Sequence, residues 1–329
     1  MFEGTRNLKA HDDTDYLVAD VGGTHLRVGR FNRSTGLALG NRRIITPSFE
    51  TMPEASSREI FAAIANELQI LASDLDLADP SAIGIAFAGP VDDNGQVYAA
   101  PTILGQPLPE PLELLSFLQP YWPRTKIWII NDVTAAGMFY ADGTNSNFCI
   151  VTVSSGIGCK VFLRGQPVLG NGWAGGEIGH WRVDHRAEAM RCDCGGIGHL
   201  GAVASGRGAL RFFHRQTGDQ GLTSYDLVRS FHAGDPLAIN VVSVGAASLA
   251  RGLALIHLAV GIERFIIYGG FAAALGERYR EILAEETRAL CWGGADDWQG
   301  RVELHEQDDI SLHGLGRHIS KQVKGSNHI

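Results

Sequence analysis

Between Glu177 and His199 the chain reads Glu177-Ile-Gly-His180, then Cys192-Asp-Cys194-Gly-Gly-Ile-Gly-His199. His180, Cys192, Cys194 and His199 bring two imidazoles and two thiols into one short segment. These are ligand types that tetrahedral zinc takes, and close spacing lowers the entropy of assembling a site. Glu177, three residues ahead of His180, places a carboxylate on the same loop. The alternative is two unpaired core cysteines and two surface histidines; the tight Cys-x-Cys with its glycines favours a metal. Cys149, Cys159 and Cys291 are expected to be plain core residues, because free cysteine is usually buried.

Three further clusters suit phosphoryl chemistry. Asp20-Val-Gly22-Gly23-Thr24 puts an acid, two glycines and a hydroxyl at a turn. Glycines let backbone N–H groups approach phosphate closely, Thr24 adds a donor, and Asp20 suits Mg²⁺ held through water. Ser154-Ser155-Gly156-Ile-Gly158 repeats that chemistry without the acid. Two such tips facing across a cleft would clamp a nucleoside triphosphate, whereas either alone is an ordinary hairpin turn. Gly269-Gly270 lies between a strand and a helix, where it either passes close to a nucleotide or makes a tight turn. Asn131-Asp132 ends a buried strand, the place where ligands of open α/β sheets collect. Asp132 there can accept the proton of an attacking hydroxyl, with Asn131 orienting the same substrate; the competing role for Asp132 is a helix N-cap.

The elements that position these residues read as an α/β fold. Strands are expected at 16–20, 26–31, 83–87, 126–130, 148–153, 160–163, 265–268 and 302–304, from apolar runs bounded by turn residues. Helices are expected at 57–71, from 135 onward, and at 203–215, 224–231, 237–261, 275–288 and 310–323, from apolar periodicity. Strand, small-residue turn and alternating strand occur twice, about 130 residues apart, which suggests two lobes built on one plan. Residues 1–15 form a polar arm.

The net charge of -8 and the lack of a basic run argue against nucleic acid or an anionic membrane as partner. Val241 to Ile262 is apolar but interrupted by Arg251 and His257, so it reads as a buried helix and not a membrane span. The first residues carry no apolar signal-peptide core, and five cysteines with one Cys-x-Cys form no disulfide framework. A cytoplasmic protein is expected.

In order along the chain, Asp20-x-Gly-Gly-Thr24, Ala88-Gly89-Pro-Val91, Asn131-Asp132, Ser155-Gly-Ile-Gly158, Glu177-x-Gly-His180, Cys192-x-Cys-Gly-x-x-Gly-His199 and Gly269-Gly270 match one pattern. Over residues 16 to 323 the chain resembles the glucokinases of the ROK family (repressors, open reading frames and kinases), in the actin-like ATPase superfamily. The resemblance implies a two-lobed, ribonuclease H-like fold with a central cleft. It implies a smaller lobe over 1–131 completed by helix 310–323, and a larger lobe over 132–309. It implies ATP and Mg²⁺ as cofactors, ATP phosphates on both tips, and Asp132 as general base toward a sugar's primary hydroxyl. Asn131, Glu177, His180, Thr102 and Gly89 fall among the substrate contacts. The family's His–Cys₃ structural zinc falls on His180, Cys192, Cys194 and position 199. Members often form dimers or tetramers, so a homodimer is among the expected states.

Four departures bear on the substrate. Position 199 is His where the family has Cys, which still leaves four zinc ligands. Position 201 is Gly where the family has a Glu that contacts the sugar near C1 and C2. Thr102 replaces an Asn, and the Gly175-Gly176 run is one residue longer than usual. Losing a buried acceptor leaves a substrate hydroxyl unpaired, at a cost of about 1–3 kcal/mol. The expected activity is therefore ATP-dependent phosphorylation of the exocyclic primary hydroxyl of a hexose or hexose-like polyol. The alternative is a C7-cyclitol 7-kinase, whose carbocyclic substrate has no anomeric hydroxyl. A sugar-sensing regulator is disfavoured: about fifteen residues precede the first strand, too few for a helix-turn-helix. A non-catalytic scaffold is at odds with the two intact tips.

Overall fold

The computed structural model describes residues 15–105, 107–141, 146–171, 175–292, 297–307 and 309–326. All but the last residue of the expected N-terminal arm lies outside them. The first sheet begins with β1 (Tyr16–Val21), β2 (His25–Asn32) and β3 (Leu37–Ile45). Helix α1 (Ser57–Asp74) leads to β4 (Ala82–Phe87). A capping box between Ser56 and Glu59 starts that helix. The short pieces β5 (Gln96–Val97), α2 (Pro101–Leu104), β6 (Leu112–Glu113) and α3 (Leu115–Leu118) precede β7 (Lys126–Asn131). The strand order is β3-β2-β1-β4-β7, with the β1–β2–β3 ladders antiparallel and β1–β4–β7 parallel.

Helix α4 (Asp132–Tyr140) crosses to the second sheet, which holds β8 (Phe148–Val153), β9 (Ile157–Leu163) and β10 (Gln166–Pro167). After a helical turn at 178–180 come α5 (Leu200–Ala204), α6 (Gly206–Thr217), α7 (Ser224–His232) and α8 (Pro236–Val260). Then follow β11 (Phe265–Tyr268), α9 (Gly270–Leu275), α10 (Glu277–Leu290), α11 (Trp298–Arg301), β12 (Val302–Leu304) and α12 (Ile310–Ser326). The order β10-β9-β8-β11-β12 repeats the first sheet's scheme: an antiparallel hairpin unit continued by two parallel strands. The duplicated hairpin in the sequence is thus a duplicated sheet.

Leu312, Leu315 and Ile319 of α12 pack on Tyr16, Val18, Ala82 and Ala86, so the C-terminal helix covers the first sheet. On α4, Val133 and Ala136 pack on Phe148, Ile150 and Phe162 of the second sheet. Helix α8 is long and apolar enough to cross a membrane by length and composition. Yet Val241, Val242, Leu249 and Leu253 sit in the second sheet's core, as a core helix requires.

Several expectations are corrected. Strand β3 was not anticipated; it is an exposed edge strand without the alternation that marks a half-buried one. The helix expected at 203–215 breaks at Ser205, whose extended backbone (φ -79°, ψ 164°) caps α6. The helix expected at 275–288 breaks at Gly276, which has φ 69°. Helix α4 starts at Asp132, not Ala135. Cys149 and Cys159 are buried, whereas Cys291 is only half-buried just beyond α10.

Candidate active site

The carboxyl ends of β1, β4, β7, β8 and β11 face one cavity of about 230 Å³. The β1–β2 tip contributes Asp20, Gly22 and Gly23, and the β8–β9 tip Ser155, Gly156 and Gly158. Gly269 and Gly270 line it after β11, Asn131 and Asp132 at the end of β7, and Gly89 and Thr102 from the first lobe's loops. Glu177 and His180 reach it from the second. Of the residues assigned to nucleotide or substrate, Thr24 alone is not on this wall; it is exposed at the hairpin tip, and its carbonyl accepts from Thr46 N–H at 3.0 Å. Thr102 packs between the two tips: a Cβ on Gly23 would lie 2.6 Å from Thr102 Cβ, and one on Gly156 3.4 Å from its Cγ2.

The cap of α4 is Asn131, so Asp132 is not the helix N-cap. Asn131 Oδ1 accepts from Thr134 N–H at 3.0 Å, and its Nδ2 donates to Gly89 O and to Asp132 Oδ1, each at 3.0 Å. Asn131 therefore fixes Asp132 and ties it to the Ala88-Gly89-Pro90 turn. Asp132 Oδ1 also accepts from Val133 N–H at 2.9 Å. Burial pushes the Asp132 carboxyl up to about 7, with Asp20 and Glu177 adding to the rise; the Val133 N–H and Lys160 oppose it. A carboxyl titrating near neutrality can take up or release a proton at that pH.

Asp20 lies opposite Arg27 in the β1–β2 register, and its Oδ2 accepts from Arg27 at 3.1 Å and from Ser311 Oγ of α12 at 2.7 Å. Lys160, on β9, donates to Glu177 Oε1 at 2.9 Å. Arg27, Ser311 and Lys160 escaped the sequence reading. A lysine inside an otherwise apolar strand was the available signal for Lys160; Ser311, remote in sequence from Asp20, had none.

The four metal-ligand candidates converge, with one ligand atom from each lying within 4.8 Å of the others. Cys194 Sγ is 3.2 Å from His199 Nδ1, and Cys192 Sγ 3.9 Å from His180 Nδ1. Tetrahedral zinc bonds of about 2.3 Å to sulfur and 2.0 Å to nitrogen place such neighbours about 3.5 Å apart. Burial and the neighbouring Cys194 push the Cys192 thiol up to about 11, and burial with His180 lowers His199. Two imidazoles beside thiols that a cation would ionise are a donor set that fits such an ion. His199 has room because residue 196 is glycine: a Cβ there would lie 2.1 Å from its Cε1.

The ROK family model matches residues 16–295. The chain belongs to the ROK family. A C(7)-cyclitol 7-kinase of Streptomyces hygroscopicus subsp. jinggangensis is 35% identical over 92% of this chain and 93% of its own length. Among solved structures, a ROK hexokinase from Thermus thermophilus has TM-score 0.69 and 26% identity, over 94% of this chain and 99% of that one. A ROK family glucokinase from Streptomyces griseus, in complex with glucose and AMPPNP, has TM-score 0.75 and 20% identity over the same shares. The fold of this ROK protein is the two-lobed actin-like ATPase fold.

Proposed function

We propose that this ATP-dependent sugar or cyclitol kinase phosphorylates the exocyclic primary hydroxyl of a ring polyol, with a C7-cyclitol as acceptor. One observation carries the choice of acceptor. Gly201 presents no side chain to the wall, and a Cβ there would press on the Gly179 carbonyl oxygen at 3.2 Å. Beside it is a recess of about 50 Å³ lined by His180, Asp193 and Arg211 among others. The carboxylate of Asp193 is held by Arg207 at 3.4 Å and Arg211 at 2.9 Å, so it does not replace the missing acceptor. A carbocycle without an anomeric hydroxyl needs none. The C(7)-cyclitol 7-kinase relative supports the same choice.

In this reading the tips at Asp20, Gly22–Gly23 and Ser155–Gly158 hold the ATP phosphates, with Thr24 left outside the cavity wall, and Gly269–Gly270 passes the nucleotide. Glu177 and His180 bind ring hydroxyls. Asp132 Oδ1 is engaged by Val133 and Asn131, so Oδ2 accepts the hydroxyl proton. The acceptor oxygen then bonds to the γ-phosphorus as the bond to ADP breaks. Asp20 would hold Mg²⁺ through water, which would supply positive charge against the phosphates, a role compatible with the hydrogen bonds that Asp20 already accepts. Zinc at His180, Cys192, Cys194 and His199 would brace the loop that presents Glu177.

The test is acceptor-dependent ADP release across C7-cyclitols, hexoses and amino sugars. The reading expects kcat/KM to be highest for a C7-cyclitol, and Gly201→Glu to shift preference toward hexoses. A native preference for glucose that Gly201→Glu leaves unchanged refutes the acceptor assignment.

A further inference from the structure

Among the described residues, Lys160 is the one lysine or arginine withdrawn from solvent, its side chain 1% exposed. An ammonium in such a place is costly unless paired and hydrogen-bonded. Its partners both belong to the loop that reaches the acceptor end of the cleft. Nζ donates to the Gly175 carbonyl at 2.6 Å and to Glu177 Oε1 at 2.9 Å.

The loop reaches that ammonium because its two glycines press on the strands beneath. A Cβ at position 176 would lie 2.1 Å from the Cys159 carbonyl oxygen and 3.3 Å from Lys160 Cα; one at 175 would lie 2.3 Å from the Val168 carbonyl oxygen. Gly176 also has φ 88°, a conformation that favours glycine. The lengthened glycine run and the buried lysine are therefore two halves of one device. Glu177 is 26% exposed and lines the cleft together with Asp132, so it is held from behind and open in front.

We propose that Lys160 is a positioning residue of the acceptor site, pinning Glu177 from the strand floor so that its carboxylate faces the acceptor hydroxyls. The proposal rests on the kinase reading above. Lys160 also balances charge where three carboxylates, Asp20, Asp132 and Glu177, meet. Arg27 answers Asp20, and Tyr268 faces Asp132 as a neutral phenol kept protonated by burial. Lys160 is the cation that favours ionised Asp132. A lysine that merely fills the floor would do neither.

The experiment compares Lys160→Met, Lys160→Gln and Lys160→Arg by steady-state kinetics against pH, with a double-mutant cycle to Glu177→Gln. Lys160→Met and Lys160→Gln are expected to raise the acceptor KM about tenfold or more, the scale of an unanchored buried partner, and to leave the ATP KM nearly unchanged. The acid limb of kcat/KM should move to higher pH in both and stay in place in Lys160→Arg. Glu177→Gln should raise the acceptor KM in wild type and add little once Lys160 is Met or Gln. If Lys160→Met does not fold, the other two variants carry the comparison. An unchanged acceptor KM with an unmoved acid limb, or additive effects with Glu177→Gln, overturns the proposal. Absence of wild-type turnover with every acceptor instead overturns the kinase reading. In that case the Asp132 carboxyl resonance, in protein carrying ¹³C at aspartate Cγ and assigned with Asp132→Asn, still reports the charge effect. It should titrate higher without Lys160, and an unmoved titration overturns the proposal.

Discussion

Replacing Asp132 by asparagine should stabilise the fold above neutral pH while sharply slowing turnover. The carboxyl is lifted from 3.8 to about 7, chiefly by burial and then by Asp20. Below pH 3.8 it is protonated in the folded and the unfolded chain alike, and its titration costs nothing. Between 3.8 and about 7 the unfolded chain releases the proton and the folded chain keeps it, so stability falls as pH rises. Above about 7 both forms are ionised and the full cost persists. About three pH units at 1.36 kcal/mol each make ~4 kcal/mol as an upper bound. For 329 residues, about 2.1 cal/mol/K per residue gives an unfolding entropy of about 0.7 kcal/mol/K, so ~4 kcal/mol corresponds to about 6 °C. Asparagine keeps the oxygen that accepts from Val133 N–H and cannot ionise. Thermal unfolding of both proteins from pH 4.5 to 8.5 reads the effect. The Tm advantage of Asp132→Asn should be small at the acid end, grow toward pH 7 and level off near 6 °C. A difference that stays constant with pH, or one that shrinks as pH rises, refutes the reasoning.

Metal analysis of the purified protein is expected to find about one zinc per chain; stripping it should raise the acceptor KM and spare the ATP KM, and an unaffected acceptor KM contradicts the bracing role. Gly196→Ala drives a methyl group into the His199 ring, so zinc affinity measured by competition with a chelator should fall about 10- to 100-fold, as when a ligand loses its orientation. Arg207 joins Glu50 of the first lobe at 2.8 Å and Asp193 of the metal loop at 3.4 Å. With Glu50 half exposed, the cross-lobe pair contributes about 0.2–1 kcal/mol, so Arg207→Ala should raise the acceptor KM by at most about fivefold and remove some of its salt dependence.

Much of this architecture was legible in the sequence because it is local. The two glycine tips, the strand-end Asn131-Asp132 and the metal quartet each draw on residues close together in the chain. The quartet in particular closes on a small hairpin in which Arg191 bridges Ile197. What stayed hidden depends on distance or on exposure. Ser311 meets Asp20 across 291 positions of the chain. Lys160 meets Glu177 only because β9 and the glycine run are pressed together, which no periodicity reveals. Strand β3 lacks an alternating pattern because its faces are mostly solvated. The helix breaks at Ser205 and Gly276 fall inside helical periodicity that continues on both sides. Asparagine and aspartate both favour the cap position, so the sequence leaves open which of Asn131 and Asp132 takes it.

Acceptor-dependent ADP release by wild type and Asp132→Asn, with the phosphorylated position in the product located by NMR, tests the central claim most directly. The account expects a C7-cyclitol carrying phosphate on its exocyclic oxygen from the wild type, and a rate about 10²- to 10⁴-fold lower from the variant, the scale of a lost general base. Undiminished turnover by Asp132→Asn, or phosphate on a ring hydroxyl, would contradict it.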